Sequence, residues 1–287
     1  MATYRPLERY SSFRRLALAQ WKDPSDPIIH GQMWFDVTKA DILFERIERD
    51  HGVKVTYGTL VGKAVANALA AVPGINGKVV GRTILLKDTV DVYYQVDIGD
   101  GADLTGTVVP SADTLSLTEI AQTLAEKARS IRSGTDDQYE KSQKRGILGR
   151  APIFLLAWVL RLFSALLYRV GLPAQWLGAT DDDPFGSCMV TNVGNFGIEI
   201  AYAPLVPWTR VPYIFLVGQA QDRVTVIDGE PVVRKMLPVG ATIDHRMIDG
   251  ARIGQMAKRL KEYIEDPNIG VAPPVRDAPQ KPEGRTP

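Results

Sequence analysis

The sequence predicts an α/β fold in one domain. Segments whose apolar residues keep helical spacing alternate with short runs rich in β-branched and aromatic residues, which suit strands. The chain has 287 residues, of which 45% are hydrophobic, so it can bury a large core. This length fits one large domain or two small ones, and we favour one.

The first half of the chain predicts helices and strands in alternation. Thr38 is expected to cap the second helix, and Thr56 or Tyr57 to open the third. Ser116 and Glu119 form a capping box, in which the hydroxyl and the carboxylate each accept a hydrogen bond from a free backbone amide. The predicted helices cover 12–21, 38–52, 57–72 and 117–133, and the predicted strands cover 31–37, 83–86, 90–98 and 107–109.

Past Gly197 the pattern is that of a sheet. The apolar run Tyr213–Val217 is expected to form a central strand. Strands are predicted on both sides of Asp228-Gly229, a strong hairpin signal. A further strand, 238–243, precedes a helix whose apolar positions are Ile253, Met256, Ala257, Leu260 and Ile264.

His245 stands at the junction of that last strand and that last helix. Imidazole is the side chain best suited to accept a proton near neutral pH. It needs a second group to hold its tautomer and a third to meet the charge that develops. His245 is therefore the candidate general base.

The segment around this histidine carries a resemblance to a known family. The pattern Asp-His-Arg-x-x-Asp-Gly at 244–250 resembles the signature of the catalytic domain of dihydrolipoyl acyltransferases, the core components of 2-oxoacid dehydrogenase complexes. Chloramphenicol acetyltransferase has a related His-x-x-x-Asp-Gly. Residues 189–197 resemble the family's Thr-Ile-Ser-Asn-Leu-Gly-x-Phe-Gly segment. Further matches are Arg14-Arg15, His30, Val72 to Asn76, Thr105 to Pro110 and Glu265-Asp266-Pro267, so the resemblance runs from about Ser11 to Pro267.

The resemblance implies both a fold and an activity. The implied fold is a mixed β-sheet flanked by helices, of the chloramphenicol acetyltransferase-like type of CoA-dependent acyltransferases. The implied reaction moves an acyl group between coenzyme A, bound as a substrate, and a thiol such as dihydrolipoyl, with no metal. His245 would take the proton of the attacking thiol, and Thr191 would donate a hydrogen bond to the oxyanion. Asp249 would hold the shape of the site or pair with a cation, for instance an N-terminal arginine.

The resemblance also implies self-association. Members of the family form trimers, in which the histidine of one subunit meets the serine or threonine of its neighbour, and many assemble further into cages. This sequence is expected to hold the catalytic domain alone, without a lipoyl domain or a subunit-binding domain. Its lipoyl carrier is therefore expected to be a separate protein, unless its acyl acceptor is something else.

One stretch interrupts the resemblance. We expect an acyltransferase domain over 1–267, an inserted segment at about 141–183, and a disordered tail at 268–287 that is rich in proline, glycine and charge. Within the insert, 151–172 is apolar nearly all round and predicts a helix, with a narrow polar stripe. That stripe comprises Arg150, Arg161, Ser164 and Tyr168.

Two locations for this helix stay open. It packs against its own domain or a neighbouring subunit, which we favour slightly, or it lies on a membrane surface. A true span of the bilayer is disfavoured, because Arg161 and Arg169 would be costly there.

Several classes of function are excluded or disfavoured. The net charge of +1 gives no field that would gather nucleic acid. Cys188 is the single cysteine, which excludes an internal disulfide, suits the cytoplasm, and is more typical of a small buried residue than of a nucleophile. The three histidines lack metal-site spacing, and the acidic run 181–183 is expected to be a solvated loop. The alternative to an enzyme is an oligomeric scaffold or membrane-associated assembly protein that keeps the fold.

Overall fold

A computed structural model describes residues 27–72, 74–80, 82–97, 104–132, 153–177 and 183–268. The strands are β1 (Ile28–Asp36), β2 (Gly77–Val80), β3 (Thr83–Leu86), β4 (Val92–Asp97), β5 (Leu104–Val109), β6 (Cys188–Asn192), β7 (Tyr213–Val217), β8 (Gln221–Ile227) and β9 (Glu230–Asp244). The helices are α1 (Thr38–His51), α2 (Tyr57–Ala71), α3 (Leu117–Arg132), α4 (Ile153–Ala165) and α5 (Gly250–Glu265). The predicted helix at 12–21, Arg14-Arg15, residues 181 and 182, and the tail from 269 lie outside the described residues.

The main sheet is mixed, as the resemblance implied. Its order is β1-β9-β7-β6-β4-β5, and β8 pairs with the first part of β9. β4, β6 and β7 run parallel to one another, while the other pairs are antiparallel. Every residue of β7 is buried, which is expected of a strand covered on both faces. The predictions of a central strand at 213–217 and of a hairpin at Asp228-Gly229 are thus confirmed.

Helix α2 forms the middle of the core. Twelve of its fifteen residues are buried, which its mainly apolar and small side chains permit. Thr56 caps it, since its hydroxyl accepts a hydrogen bond from the amide of Thr59 at 3.2 Å. Gly62 lets Tyr94 of β4 approach, because a Cβ at that position would lie 2.2 Å from the phenol oxygen. The sheet therefore packs directly against the helix backbone here.

Two predicted caps have different outcomes. The capping box of α3 is confirmed: the amide of Ser116 donates to Glu119 Oε2 at 2.7 Å, and the amide of Glu119 donates to Ser116 Oγ at 3.2 Å. Thr38 is not the cap of α1, because that helix begins at Thr38 itself and Val37 occupies the cap position. The carboxylate of Asp36 accepts hydrogen bonds from both the amide and the hydroxyl of Thr38, so it takes the capping role.

The sequence analysis missed strand β2. This strand pairs with β3 in a separate two-stranded sheet. It is only four residues long and follows the turn after α2, so it has too few positions to show a period. Gly77 is required for the pairing, because a Cβ there would lie 2.3 Å from the carbonyl oxygen of Leu85.

The inserted segment is helical in its described part. α4 passes directly into one π-helical turn, Leu166–Val170, which ends at Gly171 with φ of 77°. A short 3₁₀ helix, Ala174–Leu177, follows. No described helix has the length and hydropathy needed to cross a bilayer.

Buried ion pairs attach this insert to the β2–β3 hairpin. Lys78 of β2 donates to Asp183 at 2.6 Å and to the hydroxyl of Tyr168 at 3.0 Å. Lys87 bridges Asp183 at 2.9 Å and Asp91 at 2.6 Å. Burial lowers the pKa of Lys78 to about 8, and the charge of Asp183 opposes that shift. The two lysines in turn hold the pKa of Asp183 below its usual value, although burial acts in the opposite direction. Asp183 thus lies at the centre of the network, and the expectation that the acidic run is a solvated loop is wrong for this residue.

Removing this carboxylate should destabilise the protein. Asp183→Ala would leave the ammonium of Lys78 buried with its ion-pair partner removed, and such a loss typically costs about 3 kcal/mol or more. The matched control is Asp50→Ala, because Asp50 pairs with Arg49 at an exposed site and should contribute less than about 1 kcal/mol. Urea unfolding of both variants measures the difference, and equal stability would show that the network does not hold the insert.

Candidate active site

His245 lies in a turn that three backbone hydrogen bonds hold in place. The amide of Asp244 donates to the carbonyl oxygen of Pro212, and the amide of His245 donates to that of Pro27, both at 2.9 Å. The amide of Met247 closes the turn by donating to the carbonyl oxygen of Asp244 at 3.0 Å. The backbone on either side of the histidine is thereby fixed between β1 and β7.

Asp244 and Arg246 fix the same turn through their side chains. The guanidinium of Arg246 donates to both carboxylate oxygens of Asp244, at 2.9 and 2.6 Å, and the amide of Arg246 donates to the carboxylate at 3.0 Å. These hydrogen bonds to the Asp244 carboxylate raise the pKa of Arg246 above its ordinary value. Met247 and Ile248 are buried, whereas His245 is exposed. The backbone of the turn is therefore held rigidly, while the imidazole of His245 is exposed to solvent.

No role for Asp244 was predicted from the sequence. A signal for it was present, because an aspartate two residues before an arginine can form a short turn closed by an ion pair. That signal is weak on its own, since the same spacing occurs often in solvated loops.

Asp249 is the N-terminal cap of α5. Its carboxylate accepts a hydrogen bond from the amide of Arg252 at 2.9 Å, and its backbone is extended, as a cap requires. The side chain is exposed. Asp249 therefore fixes the start of the helix that follows the His245 turn, and the N-terminal arginines suggested as its partners lie outside the described residues.

Thr191 lies near the end of β6, in the centre of the sheet. It is half-buried, and β6 ends one residue later at Asn192, whose side-chain oxygen accepts from the amide of Gly194 at 3.0 Å. The backbone at Glu199 then passes very close to Gly218, the residue after β7. A Cβ on Gly218 would lie 1.8 Å from the carbonyl oxygen of Glu199. The residues that follow β6 thus pack tightly against the residues that follow β7.

Thr191 and His245 of one chain are far apart. Thr191 pairs with Leu216, which pairs with Gly240, and Gly240 precedes His245 by five positions. Five residues correspond to about 17 Å along the strand, and two strand spacings add about 10 Å across the sheet. The two α carbons are therefore about 20 Å apart, far beyond the reach of a hydrogen bond.

His30 and Cys188, which were also considered from the sequence, lie on β1 and β6. His30 on β1 faces Thr242, with ring nitrogen Nδ1 3.2 Å from the threonine hydroxyl, and its ring lies 5.1 Å from that of Tyr202. Cys188 is fully buried, and burial raises the pKa of its thiol far above the ordinary value. Cys188 is therefore a core residue and unsuited to act as a nucleophile.

A cleft of about 810 Å³ lies between the insert and the β2–β3 hairpin. Lys78, Lys87 and Asp183 line it, together with apolar side chains such as Leu86 and Leu167. None of the three predicted site residues lines this cleft. Among the described residues, no group of three or more histidine, cysteine, aspartate or glutamate side chains could hold a metal ion.

A family model matches most of the chain, on both sides of the insert. The family described as 2-oxoacid dehydrogenases acyltransferase, catalytic domain, matches residues 25–143 and 180–271, which together exceed half of the chain.

Two curated relatives show how much of a longer protein this chain covers. The dihydrolipoyllysine-residue acetyltransferase component of the pyruvate dehydrogenase complex of Bacillus subtilis (strain 168) is 28% identical over 230 residues, covering 79% of this chain and 41% of that protein. The dihydrolipoyllysine-residue succinyltransferase component of the 2-oxoglutarate dehydrogenase complex of Bartonella vinsonii subsp. berkhoffii is 26% identical over 222 residues, covering 77% and 42%. The chain thus spans about two fifths of the length of these relatives.

Solved structures share the fold. A dihydrolipoamide acetyltransferase, described as probable, from Listeria monocytogenes 4b F2365 superposes with a TM-score of 0.63 at 20% identity, covering 94% of this chain and 99% of that one. The cubic core of a pyruvate dehydrogenase multienzyme complex superposes with a TM-score of 0.60 at 23% identity, covering 85% and 83%. At these identities the likeness establishes the fold.

The cap formed by Asp249 can be separated from its charge. Asp249→Asn keeps a good capping oxygen and should change the free energy of unfolding by only a few tenths of a kcal/mol, whereas Asp249→Ala should cost about 1 kcal/mol. Urea unfolding measures both. Equal losses in the two variants would mean that the charge of Asp249, rather than its cap, stabilises this end of α5.

Proposed function

The chain belongs to the 2-oxoacid dehydrogenase acyltransferase family, in its catalytic domain, and we propose that it transfers an acyl group between coenzyme A and the thiol of a dihydrolipoyl group. Both curated relatives are named as dihydrolipoyllysine-residue acyltransferases, one for acetyl and one for succinyl groups. They support the reaction class and leave the acyl group open.

The exposed imidazole on the Asp244–Met247 turn is the observation that carries the proposal. A thiol must lose its proton before it attacks a thioester, because the thiolate is the nucleophile. A neutral imidazole within hydrogen-bond reach can take that proton. It then gives the proton to the thiolate that departs when the carbon–sulfur bond of the donor thioester breaks, so a free thiol leaves. Since the Asp244–Arg246 pair and the backbone bonds fix the turn, His245 would keep its position as substrates bind.

Thr191 is proposed to meet the negative charge of the intermediate. Attack on the thioester carbonyl gives a tetrahedral species whose oxygen carries the charge, and a fixed hydroxyl donor stabilises it. Thr191 has such a hydroxyl on the central strand β6, where the residue is half-buried. A donor of this kind costs little reorganisation, because the sheet holds it in place.

The distance between these residues supports a site shared by two copies of the chain. About 20 Å within one chain excludes a common site for Thr191 and His245 there. A second copy that brings its Thr191 near the first copy's His245 would complete the site. The family resemblance implies such an arrangement in a trimer, and the likeness to a cubic multienzyme core supports self-association. The proposed partners are therefore further copies of this chain and a lipoyl-bearing carrier.

Loss of either group should abolish most of the activity. His245→Ala should lower the rate of acyl transfer from acyl-coenzyme A to free dihydrolipoamide by about a hundredfold or more. Thr191→Val, which keeps the shape and removes the hydroxyl, should lower kcat by about a hundredfold. The release of the coenzyme A thiol measures both rates, with acetyl and succinyl donors tested in parallel.

Matched controls are available at both positions. His51→Ala removes an exposed histidine at the end of α1 and should leave the rate unchanged, and Thr191→Ser keeps a hydroxyl and should retain most activity. A His245→Ala variant as active as wild type would refute the role of the imidazole as base. Full activity in Thr191→Val would assign oxyanion stabilisation to another group.

A further inference from the structure

The inserted helix α4 exposes an apolar face. Leu155, Trp158, Val159 and Leu162 follow the i, i+3, i+4, i+7 spacing of one helix face, and each is between 39 and 61% exposed. Trp176, in the 3₁₀ helix that follows, is 77% exposed. Surface helices ordinarily turn such a stripe towards the core, so this arrangement is reversed.

Contacts on the opposite side prevent the helix from rolling inward. The hydroxyl of Ser164 is buried and accepts a hydrogen bond from Arg210 Nε at 3.2 Å. Leu167 is buried in the same direction, and Tyr168 is bound by Lys78. Turning Trp158 and Leu162 towards the domain would break these contacts and leave the polar groups of Ser164 and Tyr168 without their partners. The domain therefore holds the apolar stripe outward.

Positive charge accompanies this stripe. Arg161 and Arg169 are exposed, and neither forms an ion pair with the described part of the chain. The sequence from Lys141 to Thr180 contains six lysine and arginine residues and no aspartate or glutamate. A partner for this surface must accept both apolar side chains and cations.

We propose that the outer face of α4 binds the surface of an anionic lipid bilayer. Leu155, Trp158 and Leu162 would enter the boundary between head groups and acyl chains, where tryptophan is favoured because its ring is apolar and its N–H is polar. Arg161 lies between them in sequence and would extend its guanidinium to the lipid phosphates.

A bilayer fits this face better than a second copy of the chain. A contact between this stretch and the same stretch of a second copy would bring Arg161 against an apolar face and against further cations, because Lys141 to Thr180 contains no carboxylate. Lipid phosphates are available at every position of an anionic bilayer, so they need no matched geometry. The proposal is independent of the acyl-transfer chemistry, since it uses none of the residues assigned to that reaction.

Vesicle flotation of the full chain tests the proposal. Wild type should float with vesicles of equal parts phosphatidylcholine and phosphatidylglycerol, and should partition at least about tenfold more weakly to phosphatidylcholine alone. Trp158→Gln/Leu162→Gln should weaken partitioning to the anionic vesicles by about tenfold or more, because two apolar side chains are lost from the contact. Ile42→Gln, which removes an exposed apolar side chain from α1, should bind like wild type.

Circular dichroism melting of each variant checks that the fold is kept. If the double variant does not fold, Arg161→Glu/Arg169→Glu serves instead and should also weaken binding to anionic vesicles. The proposal is overturned if wild type does not float, or if a folded double variant (Trp158→Gln/Leu162→Gln or Arg161→Glu/Arg169→Glu) floats as well as wild type. An oligomer that forms without lipid and dissociates in the double variant, with no flotation of wild type, would assign the face to a second copy.

Discussion

The register of β9 determines where His245 lies relative to Thr191. This strand is 15 residues long and pairs with β1, β7 and β8. A slip of one residue would turn every side chain of the strand to the opposite face of the sheet, and it would break the fit of Gly240 beneath the carbonyl oxygen of Ala201. Because both β1 and β7 fix this register, the end of β9 carries His245 to one defined place, at the opposite end of the sheet from Thr191.

Local signals in the sequence predicted much of this arrangement. The Asp228-Gly229 hairpin, the Thr56 cap and the Ser116–Glu119 capping box each depend on residues a few positions apart, so the sequence pattern contains them in full. The strand-to-helix junction at His245 was predictable for the same reason.

Other features depend on residues distant in sequence and could not be predicted. The approach of Lys78 to Asp183 joins positions more than a hundred residues apart, and nothing near either residue indicates it. The polar stripe of the insert was predicted, but the directions of its members were not: Ser164 and Tyr168 contact the domain, while Arg161 is exposed. The separation of Thr191 from His245 follows from strand order, which propensity and spacing do not specify; only the family resemblance implied that these two residues meet across subunits.

The insert and the sheet combine two separate requirements in one domain. The proposed catalytic roles of His245 and Thr191 need a sheet that holds both residues in place and a second copy of the chain. The insert needs an attachment to the domain that leaves this sheet unchanged. The Lys78–Asp183 network meets the second requirement, because it holds the insert through the small β2–β3 hairpin. The family model matches on both sides of 144–179, in agreement with a fold that continues past this segment.

Mixing two inactive variants tests whether two copies of the chain share one active site. His245→Ala and Thr191→Val are purified separately, mixed under conditions that let subunits exchange, and assayed for acyl transfer to dihydrolipoamide. A site shared between copies predicts that activity returns, since some contacts in the mixed oligomer join an intact His245 to an intact Thr191. A mixture that exchanges subunits and stays as inactive as its components would contradict a shared site.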